Sequence, residues 1–345
     1  MNEVRFVNRN DEIKTLKNWC SRFRYTPLYI YGPEGCGKTR LLKEFVKAFD
    51  EFFGENTIAV YIDALERHSL DKAIVVPKSM ELARDIVLTL VEKLGGPVGK
   101  VIAENITTIL EKAIIKRRLE DSYILVVIDD ITRAIGLDQI EWYVKWLFET
   151  MNKLNEEYRP RAINFIVTTS EGMSRRLIAR HRHAEILLIW NLDKESFEEL
   201  FYEIRPPTGI KFEDVWYLLG GNPGKLLELA DRYDWNIDKM LRYYRIRIRE
   251  IVEIVIKEGL VNELKRFVEN IILAEKIINK RMGLLEEILE ETNLILYKYW
   301  ILLTLDSEVF ERIYPEIGIG KKYAWQVPIY RKVVKEILDE IENMK

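Results

Sequence analysis

Five short apolar runs alternate with helix-patterned segments in the first part of the chain, and this alternation narrows the fold more than any other feature. The runs are 27-PLYIY-31, 57-TIAVYID-63, 123-YILVVID-129, 163-INFIVTT-169 and 185-EILLIW-190. Each is nearly continuous, which is how a strand buried on both faces reads. Between them, 39-TRLLKEFVKAFDEFF-53 and 138-DQIEWYVKWLFETMNKL-154 carry apolar residues at helical spacing. Such an order predicts an α/β fold, a parallel five-stranded sheet with helices on both faces. Upstream, 10-NDEIKTLKNWCSRF-23 predicts a helix capped by Asn10, with acidic residues in its first turn.

The pattern stops at 205-RPPTG-209 and gives way to helices at 211-KFEDVWYLLG-220, 223-PGKLLELADRY-233 and within 237–280. Boundaries near Arg205 and Trp235 divide the chain into segments 1–205, 206–235 and 236–345. The apolar run from Leu294 to Leu305 is interrupted by Lys298 and falls short of the ~20 residues that span a bilayer. The N-terminus has no apolar signal core, so an intracellular, cytoplasmic protein without a membrane partner is expected. Cys20 and Cys36 are the two cysteines, and they suit a reducing compartment. No Cys/His cluster has metal-ligand spacing, so no structural zinc is expected. A formal net charge of −3 argues against chain-wide attraction to nucleic acid.

Gly32-Pro33-Glu34-Gly35-Cys36-Gly37-Lys38-Thr39 matches G-x-x-x-x-G-K-[ST] without a mismatch. Glycines let backbone N–H groups converge on phosphate oxygens, and the following helix presents its positive end. Lys38 would reach the β- and γ-phosphates, and the Thr39 hydroxyl would ligate Mg²⁺. At 123-YILVVIDD-130 a buried strand ends in two acids. Asp129 would emerge at the carboxyl edge of the sheet as the Mg²⁺ partner, and Asp130 could polarise an attacking water. A strand-end aspartate that merely caps the next helix is the bland alternative. An extra strand between loop and acids, a second acid, and the polar end Thr168-Thr169-Ser170 of the next strand suit a water-activating ATPase. No N-K-x-D guanine-reading motif occurs.

The segments 6-FVNRNDEIKTL-16, GPEGCGKT, VVIDD and 219-LGGNPGKL-226 occur in that order. Together they resemble the archaeal ATPase family, a STAND-type branch of P-loop NTPases related to AAA+ ATPases and to the Orc1/Cdc6 initiators. The resemblance covers about residues 4–232. It implies ATP and Mg²⁺ as ligands, with segment 1–205 as the ATPase core and 206–235 as a helical lid. Arg9 would lie near the adenine or ribose, Thr168 to Ser170 at the sensor position facing the γ-phosphate, and Pro223 against the base. The implied contact set is Arg9, Gly32, Pro33, Glu34, Gly35, Cys36, Gly37, Lys38, Thr39, Arg40 and Pro223, with Lys38, Asp130 and Thr169 catalytic. Thr39 and Asp129 would hold the metal. The family's usual glutamate is replaced by the shorter Asp130, so hydrolysis is expected to be slow unless the geometry compensates. Arg175, Arg176, Arg180 and Arg182 are candidate arginine fingers, and Lys225 a candidate lid sensor.

Relatives often end in a winged helix, expected here within 281–345, with 316-EIGIGKKYAWQVP-328 as wing or return strand. Arg242, Arg245 and Arg249 share one helical face by spacing, and with Lys321 and Lys322 they could contact phosphates. Acidic residues balance basic ones over 236–345, so a solvated or packed face is the competing expectation. The leading functional expectation is a nucleotide-dependent ATPase switch. The alternative is a DNA-associated ATPase resembling an origin-binding initiator, binding double-stranded DNA through the C-terminal region. A protein partner there, or a nucleotide-dependent homo-oligomer, stays open.

Overall fold

The computed structural model describes residues 6, 8–54, 56–66, 74–77, 121–169, 172–298 and 313–343. Ser170 and the apolar run beyond Lys298, with Tyr299 and Trp300, lie outside them. In the first part the order is α1 (Asn10–Cys20), β1 (Leu28–Tyr31), α2 (Lys38–Lys47), α3 (Phe49–Phe53), β2 (Thr57–Asp63) and β3 (Ile74–Val75). Then come β4 (Tyr123–Asp129), α4 (Ile131–Ile135), α5 (Ile140–Tyr158), β5 (Ala162–Thr169), α6 (Gly172–Ala179) and β6 (Glu185–Leu188).

The sheet runs β3-β2-β4-β5-β1-β6. All five expected strands pair in parallel, and the two-residue β3 adds an antiparallel edge beside β2. Alternate residues of each strand serve opposite layers. Leu28 and Ile30 face α1 to α3, packing with Leu41, Phe45 and Phe49, while Tyr29 and Tyr31 join the core containing Tyr143, Leu147 and Met151 of α5. The order places β5 between the loop strand β1 and the acidic strand β4, with both carboxyl ends at one edge.

Several element ends differ from the sequence expectation: β1 begins at Leu28, β5 at Ala162, α5 spans Ile140–Tyr158, and 39–53 divides into α2 and α3; two more lie beside the loop. Asn10 is the first residue of α1 and Arg9 holds the cap position, with no side-chain capping bond. The Arg9 guanidinium is instead bonded to the carbonyls of Cys36 and Trp190. β6 stops at Leu188 rather than Trp190, level with the end of its partner β1 at Tyr31, and the Trp190 carbonyl accepts from Arg9.

The second part comprises α7 (Lys194–Glu203), α8 (Phe212–Leu219), α9 (Pro223–Asp231), α10 (Ile237–Lys257), α11 (Val261–Glu269), α12 (Ile271–Ala274) and α13 (Lys280–Glu291). It closes with β7 (Ile295–Tyr297), β8 (Tyr323–Trp325) and α14 (Pro328–Asn343). β7 and β8 pair antiparallel. One apolar core runs through all these elements, from Leu192 and Phe197 to Trp325 and Leu338. Among the described residues no helix is long and apolar enough to cross a membrane.

The spacing that puts Arg245 and Arg249 on one face of α10 turns both, half-exposed, toward Glu340 on α14, with which they pair. Lys321 and Lys322 are exposed, but their N–H groups, with that of Tyr323, donate to the buried Glu275 carboxylate. The two parts of the chain are joined by charge. Glu290 of α13, 1% exposed, accepts from Arg175 at 2.7 and 3.1 Å and from Arg176 at 2.7 Å, both on α6. Removing one member of a buried pair strands the other's charge. Glu290→Ala is therefore expected to cost about 3–5 kcal/mol in urea unfolding, and a loss below ~1 kcal/mol would contradict this role.

Candidate nucleotide-binding site

β1 carries the chain to the loop at the carboxyl edge, and α2 begins at Lys38, directly after it. Gly35 (φ +82°) and Gly37 (φ +101°) adopt left-handed backbone that side chains disfavour. Lys38 Nζ is buried and donates to the loop carbonyls of Gly32 at 2.9 Å and Pro33 at 3.1 Å. An arriving phosphate oxygen could take over that amine. Arg40, a turn into the helix, is half-exposed and pairs with Glu44.

Asp129 is 3% exposed, and hydroxyls surround its carboxylate. Thr39 Oγ1 donates to Oδ2 at 2.6 Å, Tyr61 donates to the same oxygen at 2.5 Å, and Thr168 donates to Oδ1. Burial, reinforced by the Asp129 charge, pushes the Tyr61 phenol well above its ordinary range, so it stays a donor. The structure thus brings together the two expected metal-holding residues, on loop and acidic strand. A carboxylate and a hydroxyl are hard oxygen donors, which fits Mg²⁺ with waters and phosphates completing its shell.

Asp130 has φ 54° and ψ 29°, a left-handed conformation in which aspartate is among the tolerated side chains. Its N–H donates to Thr168 Oγ1 at 2.9 Å, and its carbonyl accepts from Arg133 and Ala134 at the start of α4. It therefore holds the N-cap position of α4 through its backbone, while its carboxylate makes no capping bond. Thr168 is the member of the sensor run that touches Asp129, while Thr169 Oγ1 accepts from Thr132 at 3.3 Å. One acid went unnoticed in the sequence. Asp63 ends β2 in register with Asp129. Burial, opposed by the Leu65 N–H and reinforced by the Asp129 charge, raises its carboxyl above the usual range. The shared ending of TIAVYID and YILVVID was the available signal; Tyr61 carried none.

Arg9 fastens the loop from outside, with Nη2 donating to Cys36 O at 2.7 Å and Trp190 O at 2.9 Å, and Nη1 to Glu12 at 2.5 Å. A cavity of about 680 Å³, within the range of small-molecule sites, opens beside Arg9 and is also lined by Asn8, Trp190, Trp216 and Tyr314. The Pro223 ring lies 3.9 Å from the position a Cβ on Gly37 would take. Asn222 caps α9 by accepting from Lys225 N, so the structural account of the Gly-Asn-Pro turn holds alongside its contact with the loop. Lys225 Nζ is drawn to Glu228 at 3.0 Å and over the Tyr244 ring, inside the helical layer. Arg175 and Arg176 are engaged by Glu290, while Arg180 and Arg182 are exposed.

Gly224 N donates to Gly35 O at 2.9 Å, and a Cβ on Gly224 would lie 2.7 Å from Gly35 Cα. Backbone meets backbone here, and neither side can yield by rotating a side chain. Gly224→Ala is expected to push α9 off the loop and weaken nucleotide binding by about tenfold in a fluorescence titration. Unchanged affinity would show that the α9 contact is incidental.

The model of one protein family, described as an ATPase domain predominantly from Archaea, matches residues 6–229. No curated protein matches the chain significantly. Among solved structures, the chain is similar to the Aeropyrum pernix ORC2 protein in ADPNP–ADP complexes, at 11% identity and TM-score 0.39, covering 98% of this chain and 97% of that one. It is also similar to the Aeropyrum pernix ORC1 protein in complex with DNA, at 13% identity and TM-score 0.42, covering 99% and 96%. Likenesses this distant do not bear on function. The family match contains the loop, the acidic strand end and the Gly-Asn-Pro turn, and the chain belongs to this family of ATPase domains found predominantly in Archaea.

Proposed function

We propose that this chain is an ATP-dependent molecular switch of the cytoplasm, with slow hydrolysis resetting it. The observation that carries this reading is the meeting of loop and acidic strand, Thr39 Oγ1 on Asp129 Oδ2 at 2.6 Å, beneath helices that touch the same loop. Base and ribose would occupy the cavity beside Arg9, with the phosphates on the loop. Lys38 would exchange the Gly32 and Pro33 carbonyls for phosphate oxygens, and Thr39 with Asp129 would hold Mg²⁺. When bound, that ion would supply charge neutralisation on the β- and γ-phosphate oxygens. Asp130 would accept a proton from the attacking water, and Thr168 and Thr169 would face the terminal phosphate.

Slow turnover follows from Asp130. Its left-handed backbone is one that aspartate tolerates, and its carboxylate, one methylene shorter than glutamate, would reach less far toward an attacking water. The switch reading draws on what touches the loop: α9 through Gly224, and the C-terminal segment through Gln326. We take segment 206–235 as a lid and 236–345 as the responding region; α13 followed by the β7–β8 pair supports the winged helix expected within 281–345. Phosphate contact through Arg245 and Arg249 is less favoured, since Glu340 engages both.

Steady-state ATP hydrolysis at elevated temperature, with Lys38→Ala as the blank, tests the reading. A low Lys38-dependent rate that double-stranded DNA leaves unchanged is expected. Asp130→Asn should lower that rate by about 100-fold while MgATP binding persists. Wild-type hydrolysis no faster than the blank would remove the catalytic role of Asp130. A rate that climbs with DNA would favour the DNA-associated reading instead.

A further inference from the structure

Glu34, in the middle of the loop, is held from two sides by buried amides of distant segments. Its N–H donates to Gln326 Oε1 at 3.2 Å, and its carbonyl accepts from Asn222 Nδ2 at 2.9 Å. Asn222 Nδ2 also donates to Asn191 Oδ1 at 2.9 Å, and Asn191 Nδ2 donates to the Gln326 carbonyl at 3.0 Å. The bonds close a ring through four segments: the loop, the turn after β6, the cap of α9 and the residue after β8. Gln326 is 1% exposed, Asn222 0% and Asn191 7%. Gln326 is fixed from behind, its N–H donating to Leu294 O at 3.0 Å and its Nε2 to Ile295 O at 3.5 Å.

We propose that Gln326 is a positioning residue for the phosphate loop, setting the Glu34 peptide so that the neighbouring N–H groups point at a phosphate. This rests on the loop being the nucleotide site. A loop with left-handed turns at Gly35 and Gly37 has a soft backbone, and a fixed external acceptor narrows its choices. Each side-chain amide of the ring uses both of its ends, so the network determines which way each amide faces. None of the three titrates, so the restraint does not vary with pH. Coupling is reciprocal: if Gln326 orders the loop for nucleotide, bound nucleotide must tighten the hold on the β7–β8 pair.

The test uses the full chain. Gln326→Met keeps the volume and removes the acceptor, leaving the half-buried Glu34 N–H without that partner. MgADP affinity, titrated well below the unfolding temperature, is expected to fall by about tenfold. Amide exchange of the loop peptide should quicken while that of β4 is unchanged. Asn222→Ser keeps an oxygen to cap α9 but removes the amide that holds the Glu34 carbonyl, and it should act in the same direction, which covers the case of a Gln326→Met chain that does not fold. Wild-type affinity in a folded variant overturns the proposal, as does a lowered unfolding temperature with unchanged MgADP affinity. If wild type binds MgADP no better than Lys38→Ala, the nucleotide reading itself has failed, and the proposal falls with it.

Discussion

The Asp129 carboxylate is the group around which the site is assembled. It sits at the end of a central strand, out of water, and is held by hydroxyls from β2, α2 and β5. A buried carboxylate survives only when such donors compensate its lost hydration. Three elements far apart in sequence must therefore agree on one position. The parallel ladder makes that agreement possible, since β4 pairs with β2 on one side and β5 on the other, in registers that bring Asp63, Asp129 and Thr168 to one edge.

The loop depends on its surroundings in a different way. Its glycines give it freedom, and the freedom is taken up from outside by Arg9, Gly224, Asn222 and Gln326. These partners span both ends of the chain, so the loop is a junction as much as a binding site. A phosphate arriving there would compete with carbonyls for Lys38 and meet a backbone already held by α9 and the C-terminal segment. The Glu290 pairing with Arg175 and Arg176 holds those two parts in register. Under the proposed switch reading, these contacts would carry nucleotide state to the C-terminal half.

Much of this was legible in the sequence because it is local. Apolar runs buried on both faces announce parallel strands, and G-x-x-x-x-G-K-T needs its spacing within a single turn of chain. Asp129 was readable because a strand end and a loop share one edge in this topology. Partnership was not readable. Nothing local distinguishes Tyr61 from other strand tyrosines, or Gln326 from a solvated glutamine, because their roles depend on tertiary contacts across 68 and 292 positions. The arginine stripe of α10 shows the same limit from the other side: spacing gave the face correctly, and only packing against Glu340 showed what the face meets. The left-handed backbone at Asp130 likewise follows from the tight turn into α4 rather than from composition.

The most direct test of the account is hydrogen exchange across the whole chain with MgATP, with MgADP and without nucleotide, using Lys38→Ala as the blank. The account predicts that the difference between the two nucleotide states reaches past the loop, into the 212–231 helices and the 323–343 segment, and vanishes in the blank. A difference confined to the loop and the strand ends, or one that survives in Lys38→Ala, would contradict it.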